Sequence, residues 1–320
     1  MIVLTGGAGF IGSCFLWKLN AAGIDDIIIV DDFGNPDKKL NLIGKKYRDF
    51  IQKDAFLRLV TSDSLEPATC VIHMGACSST IETDVDYLRR NNFEYSVRLA
   101  EWALRKKASF LYASSAATYG DGRFGYDDSN KNTLRLQPLS PYGESKQLFD
   151  QWVVKHGFNK RVTGFKFFNV FGPNEYHKKE MKSVICRNYY SLAAGNPMRL
   201  FKSYNPSYPD GTQKRDFVYV LDVIEAMYYF FCNPQNTGIY NLGTGKARSW
   251  NDLAAAIFCA LGVPPSITYV DMPENIRAKY QYFTEATMDK MRRVGYTKPF
   301  RSLEESVADY CEYLRRKARL

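Results

Sequence analysis

Tyr142 and Lys146 stand four residues apart in the stretch Ser140-Pro-Tyr-Gly-Glu-Ser-Lys146. Residues i and i+4 of a helix lie one turn apart on the same face. Pro141 suits the first helical position. A Lys ammonium beside a phenol favours the phenolate, because an opposite charge lowers an acid's pKa. Such a phenol can take a proton from an alcohol and return it to a ketone. That is half of a hydride transfer, and it needs a hydride acceptor held nearby. Tyr-x-x-x-Lys alone is a weak signal, since both residue types are common. Its weight here comes from a second motif far upstream.

That motif is Thr5-Gly-Gly-Ala-Gly-Phe-Ile-Gly12. Gly6, Gly9 and Gly12 follow a strand-like run, Met1-Ile-Val-Leu, and open a helical pattern. Glycines allow a tight turn and a close approach of backbone to a pyrophosphate. The helix N-terminus adds unpaired N–H groups and a positive dipole end. Asp31 closes the next strand about twenty residues on, where a carboxylate can bond an adenosine ribose. Asp32 beside it argues for NAD, since two carboxylates disfavour a 2′-phosphate. Lys38 in the following loop argues for NADP, since its ammonium could pair with that phosphate. On residues alone the two cofactors balance.

Arg215 could hold a diphosphate with a bidentate grip. Its blander role is an ion pair with Asp216 or Asp222.

The elements that must carry these residues follow from periodicity. Strands are expected at Ile2–Thr5, Ile27–Val30, Cys70–Met74, Phe110–Ser114, Val162–Val170, Ile239–Leu242 and Ile267–Val270. Helices are expected at Ile11–Ala22, Asp84–Lys106, Trp250–Leu261 and from Leu303 onward. Strands alternating with helices imply an α/β fold with a doubly wound parallel sheet. The dinucleotide-binding domain is expected over 1–170, with about 215–243 returning to it. A smaller, discontinuous substrate domain is expected from 171–214 and 244–320. The polar stretches Asn174–Lys182 and Tyr204–Gly211 read as functional loops.

Composition narrows the class. The chain has 320 residues, 45% of them hydrophobic and 24% charged, which is ordinary for a globular protein. No apolar run is long enough to span a bilayer, and no leader-like segment opens the chain. A cytoplasmic location without membrane contact is expected. The net charge of +9 is spread out and suits an anionic small-molecule substrate better than nucleic acid. Seven scattered cysteines, never in Cys-x-x-Cys, suggest reduced and mostly buried thiols and no metal.

Taken together, the glycine loop, Ser114-Ser-Ala-Ala-Thr-Tyr-Gly120, Tyr142 with Lys146, and Arg215-Asp-Phe-Val-Tyr-Val220 resemble the extended short-chain dehydrogenase/reductases. More narrowly, the chain resembles the ADP-L-glycero-D-manno-heptose 6-epimerase family. That likeness rests on Gly75-Ala-Cys-Ser-Ser-Thr80, Ala113–Gly120, Phe168-Asn-Val-Phe-Gly-Pro173 and His177-Lys178. Lys279-Tyr-Gln-Tyr-Phe-Thr284 and Gly295-Tyr-Thr-Lys-Pro-Phe300 add to it.

The resemblance implies a Rossmann fold and inversion of C6 of the heptose in an ADP-sugar, a lipopolysaccharide core precursor. It implies tightly held NADP and a homo-oligomer. Tyr142 would be one acid/base, Lys146 its electrostatic partner, Ser115 a ligand of the reacting oxygen and Lys178 the second acid/base. Gly6, Gly9, Phe10, Ile11, Gly12, Asp31, Asp32, Lys38, Lys53, Gly75, Ala76, Cys77, Ser78, Asn91, Lys146 and Lys178 would face the cofactor. Ser115, Asn169, Val170, His177, Arg187, Phe201, Arg215 and Tyr280 would face the substrate. The chain departs from the family pattern at Asp32, Glu180, Arg187 and in a longer Lys202–Lys214 loop. The related 4,6-dehydratases need an Asp-Glu pair near Ala116-Ala117; two alanines cannot protonate a leaving hydroxyl. A C4-type epimerase and a non-catalytic dinucleotide sensor are the alternatives, the latter opposed by the intact Ser-Tyr-Lys set.

Overall fold

The structure is a computed structural model that describes residues 1–32, 34–277 and 280–320. Lys279, at the head of one of the quoted motifs, lies outside the described residues. Six strands of the central sheet are β1 (Ile2–Thr5), β2 (Ile27–Asp31), β3 (Asp49–Gln52), β4 (Cys70–His73), β5 (Ser109–Ser115) and β6 (Val162–Phe167). Gly238–Leu242 is the seventh. The order is Gly238–Leu242, β6, β5, β4, β1, β2, β3, and every pairing is parallel. The order reverses between β1 and β4, which opens a crevice at their carboxyl ends.

Parallel strands covered by helices on both faces should be apolar throughout, and β1, β2 and β4 are buried at every position. Successive side chains point to opposite faces. Accordingly Leu4, Ile29 and Ile72 belong to one core cluster, while Val3, Ile28, Val30 and Val71 belong to the other. The doubly wound α/β architecture read from the sequence is the one observed.

Local differences have physical causes. The expected strand Val162–Val170 divides at Phe168. Its first part stays in the central sheet, and Asn169–Phe171 pairs in parallel with Phe217–Tyr219. The expected helix Asp84–Lys106 is continuous in direction, yet Arg89–Glu94 widens into a π turn. Asn174–Lys182, read as loop, contains 3₁₀ turns at Tyr176–Met181. The edge strand β3 was not expected, because Asp49-Phe-Ile-Gln52 is short and only partly buried. Among the described residues no helix is long and apolar enough to cross a membrane. The seven thiols are free; Cys232 and Cys259 are exposed, against the expectation of burial.

The helix Pro141–Lys155 carries Tyr142 and Lys146. Its start is set by Pro141 at the first position and by Ser140, whose side chain accepts from the Gly143 amide. Its inner face is pinned by Asp150, which is fully buried. The Asp150 carboxylate accepts from Tyr112 Oη at 2.9 Å and Ser114 Oγ at 2.6 Å, and pairs with Lys166 Nζ at 2.6 Å. Lys166 also donates to Thr118 Oγ1 at 2.7 Å. The pair thus joins the helix to β5 and β6. Removing one partner of a buried pair strands the other charge. Asp150→Ala is therefore expected to destabilise the protein by about 3–5 kcal/mol. Urea unfolding checks it, and the double variant Asp150→Ala/Lys166→Met should recover part of the loss.

Candidate active site

A single cavity of about 760 Å³ runs from the glycine loop to Trp250. Its size is that of a small-molecule site. Gly6 adopts φ +68°, and a Cβ there would lie 2.6 Å from the Gly75 amide nitrogen. A Cβ at Gly12 would lie 2.1 Å from the Gly6 carbonyl oxygen. The end of β1, the end of β4 and the helix Phe10–Ala21 therefore meet at van der Waals limit. That helix starts at Gly9 with no side-chain cap and no acidic residue in its first turn. An uncapped helix end beside a glycine cradle fits a dinucleotide pyrophosphate.

Beside the cradle, Asp31 is buried and saturated. It accepts from the Ala8 amide at 2.9 Å and the Asp32 amide at 2.7 Å, and it pairs with Lys38. Lys53 Nζ lies 3.7 Å from Asp32 Oδ2 and donates to Asn91 Oδ1 at 3.0 Å. Both carboxylates thus have a lysine beside them.

Ser115 ends β5 and caps the 3₁₀ turn Ala116–Tyr119, accepting from the Ala117 amide at 3.1 Å. Its hydroxyl stands beside the Tyr142 phenol and acts to lower it. The sequence reading expects Lys146 to hold that phenol down. In the structure burial dominates and pushes it up, with Ser115 working against the rise. The Lys146 ammonium donates instead to the Ala113 carbonyl at 2.9 Å. Burial lowers Lys146 itself to about 8, with Asp150 pulling it back up. Lys178 Nζ lies 5.1 Å above the Phe10 ring, and burial lowers it too, against Glu175. His177 next to it is lowered to about 4, by burial and then by Lys38 and Lys178, so its imidazole is neutral at pH 7.

All the expected catalytic residues and all the expected cofactor residues line this one cavity. Of the expected substrate residues, Ser115, Asn169, Val170, His177 and Arg187 line it as well. Phe201, Arg215 and Tyr280 do not. The Arg215 guanidinium stacks 5.1 Å from the Tyr280 ring and 5.9 Å from Trp250, a cavity residue. Neither proposed carboxylate partner meets it. Asp216 accepts from the Thr244, Gly245 and Ala286 amides, and Asp222 pairs with Arg301. A buried guanidinium without a carboxylate among the described residues suits an anionic ligand.

Sequence reading missed Asn92. It is buried, its Oδ1 accepts from the Cys77 amide at 2.8 Å, and its Nδ2 donates to the Cys77 carbonyl and to Ser145 Oγ, both at 3.0 Å. It ties the loop after β4 to the Tyr142 helix. The signal was available: Asn91-Asn92 inside a helical pattern is a pair of poor helix formers, and π turns of this kind cluster at functional sites.

The model of the family described as "NAD dependent epimerase/dehydratase family" matches residues 2–243. The chain belongs to the NAD dependent epimerase/dehydratase family. It is 50% identical over 311 residues to the ADP-L-glycero-D-manno-heptose-6-epimerase of Nitratidesulfovibrio vulgaris (strain DP4), covering 97% of this chain and 96% of that one. It is 47% identical over 322 residues to the enzyme of the same name from Fusobacterium nucleatum, covering 98% and 97%. Among solved structures it is similar to the ADP-L-glycero-D-manno-heptose-6-epimerase of Helicobacter pylori. That likeness has a TM-score of 0.82 and 29% identity over 98% of this chain and 96% of that chain. It is also similar to MoeE5 in complex with UDP-glucose and NAD, with a TM-score of 0.78 and 26% identity over 99% of each chain. Within this epimerase/dehydratase family, the glycine cradle and the cleft beside it fit a pyridine nucleotide.

The buried Lys146 gives the pH dependence of stability a definite sign. An unfolded lysine sits at 10.5 and the folded one at about 8. Between those values the unfolded chain holds the proton and the folded chain has lost it, so stability rises with pH in that window. Below about 8 the full cost of burying the charge is present. Urea unfolding of cofactor-free wild type and Lys146→Met from pH 7 to 10.5 should show the wild type gaining on the variant by about 3 kcal/mol. Parallel pH profiles would contradict the burial of this amine.

Proposed function

We propose that the protein is an epimerase that inverts C6 of the heptose in ADP-D-glycero-D-manno-heptose. The product, ADP-L-glycero-D-manno-heptose, serves lipopolysaccharide core synthesis. The observation that carries this reading is the presence of two separate proton-transfer groups in one cleft. Tyr142 enters it from the Pro141–Lys155 helix, and Lys178 from the Tyr176–Met181 turns. The relatives named for the same activity, at 47–50% identity over nearly the whole chain, support it.

A bound nicotinamide would supply hydride acceptance and return. The chain's residues do the rest. Lys178, as a neutral amine, takes the hydroxyl proton of one epimer. The ketone then turns until its oxygen faces the other wall, where Ser115 holds it and Tyr142 gives it the phenol proton that the exclusion of water keeps in place. In the reverse direction the Tyr142 phenolate takes the proton and the Lys178 ammonium returns it. Burial lowers the Lys178 amine and so favours the neutral form that the forward transfer needs. Arg215, stacked beside the cavity residue Trp250, is the buried cation offered to the diphosphate. The bound dinucleotide is NADP: Lys38 and Lys53 stand beside Asp31 and Asp32, where a 2′-phosphate would place its charge.

Mass spectrometry of the small molecule released from denatured protein is expected to find NADP. Release of NAD alone, the dinucleotide of the MoeE5 complex, would reverse that assignment. Tyr142→Phe and Lys178→Met should each lower epimerisation by about 10²–10⁴-fold, the usual effect of deleting a general acid/base. Each should keep part of its activity with an aldehyde analogue whose dismutation needs no inversion. Normal epimerisation by Lys178→Met would point to a single-base mechanism.

A further inference from the structure

Asn41 follows the short helix Pro36–Lys39 and is 1% exposed. No charge or motif marks it in the sequence. Its amide nitrogen lies 3.1 Å from the Ala8 carbonyl in the glycine loop and 3.0 Å from the Asn174 carbonyl. The same nitrogen is 3.2 Å from His177 Nδ1. Its Oδ1 accepts from Arg319 Nε at 3.2 Å. An Asn amide has two donors and one two-lone-pair acceptor, and here they are taken up on every side. Two of these contacts reach the segment that bears Lys178, and one reaches the cradle.

That segment has a fixed base and a strained tip. Glu175 is fully buried and accepts from the Ser183 amide and Ser183 Oγ, both at 2.6 Å, so residues 175–183 close on themselves. Within the tip, Lys179 adopts φ +49°, ψ −123°, a backbone region that side chains disfavour. Strain persists only where the surroundings over-determine it. Among the contacts that hold the segment are His177 and Asn174 to Asn41 and Asn35 Nδ2 to the His177 carbonyl at 3.3 Å, beside Lys178 over the Phe10 ring, Thr80 Oγ1 to Met181 Sδ at 3.8 Å and Tyr176 Oη to the Ala318 carbonyl at 2.7 Å. The Glu175 clamp closes the base of the segment, and of the contacts above only Asn41 also reaches the Ala8 carbonyl of the glycine loop.

We propose that Asn41 is a positioning residue that couples the dinucleotide cradle to Lys178: order imposed on the glycine loop is passed through the Ala8 carbonyl and the Asn41 amide to His177 and Lys178. The inference rests on Lys178 as the second acid/base, and it is tested by readouts that separate the two ideas.

The first readout is structural. Trypsin cuts after Lys178 and Lys179. In the wild-type holoenzyme these bonds should be protected, and stripping the cofactor should speed their cleavage about tenfold, the effect of about one hydrogen bond. In Asn41→Ala the bonds should be cut at the faster rate with or without cofactor, other cleavages unchanged. Asn41→Asp keeps the volume and the acceptor for Arg319 but loses the donors to Ala8, Asn174 and His177. It should behave like the alanine variant. The second readout is catalytic, on holoenzyme of equal cofactor content. Asn41→Ala should lower aldehyde dismutation about tenfold or more in a Tyr142→Phe background, where Lys178 acts alone. In a Lys178→Met background, where Tyr142 acts alone, it should change the rate less than about twofold.

Equal losses in both backgrounds, or cleavage that ignores the cofactor in the wild type, overturn the coupling even if Lys178 is a base. Coupled cleavage together with normal epimerisation by Lys178→Met would retain the Asn41 link and remove Lys178's catalytic role.

Discussion

The contact between Gly12 and the Gly6 carbonyl is the constraint on which the site depends. A single methyl group at Gly12 would sit 2.1 Å from that oxygen. With no side chain there, the helix Phe10–Ala21 starts directly above the end of β1. Gly6 in turn lets the end of β4 come within touching distance, because its own Cβ would strike the Gly75 amide. Three backbone segments thus converge where the strand order reverses. The free N–H groups of the helix, the Asp31 carboxylate held by Ala8 and the loop Gly75–Ser78 then face one another across the cleft. Phe10, the residue next after Gly9, contributes the ring over which Lys178 lies.

Burial, more than ion pairing, governs the titrating groups of the cleft. Tyr142 is raised, and Lys146, Lys178 and His177 are lowered, each with desolvation as the leading cause. Every shift favours the neutral form. A cleft of that kind makes charge on these groups costly, a cost that a charged ligand can offset. The asymmetry lies in the supports. Tyr142 rests on a fifteen-residue helix anchored by the Asp150–Lys166 pair, whereas Lys178 rests on a short turn with one strained residue.

Much of this was legible in the sequence, and the illegible part has a common cause. The strands Ile2–Thr5 and Ile267–Val270 and the helix Trp250–Leu261 were bounded correctly because apolar runs and caps mark them. The Tyr142 helix was legible from Ser140-Pro141 and the four-residue spacing. What failed were inferences about partners. The effect of Lys146 on Tyr142 was argued from adjacency on a helix, yet the ammonium turns to the Ala113 carbonyl 33 positions away in sequence. Arg215 was offered two acidic neighbours, both of which are engaged elsewhere. Asn41 was invisible because an amide has no signature beyond its surroundings, and Asn92 was marked only as one of two poor helix formers in a helical pattern. Such residues act through long-range contacts, which residue type and spacing do not encode.

The division of the chain at Phe168 has a consequence for how such a protein can change. The Phe168 amide still donates to Leu242 of the central sheet, while the next amide, Asn169, donates to Asp216. Asn169 pairs directly with Phe217. Everything between Phe171 and Lys214 is therefore an excursion whose two ends are held side by side, outside the seven-stranded sheet. Closing such a loop costs only about 0.6 kcal/mol more for each doubling of its length. This excursion contains Lys178, Arg187 and the long 202–214 segment. Its length and composition can drift while the strands that build the dinucleotide cradle keep their register. The fold thus separates a cradle that is intolerant of a single methyl group from a much shorter excursion in which added length costs little.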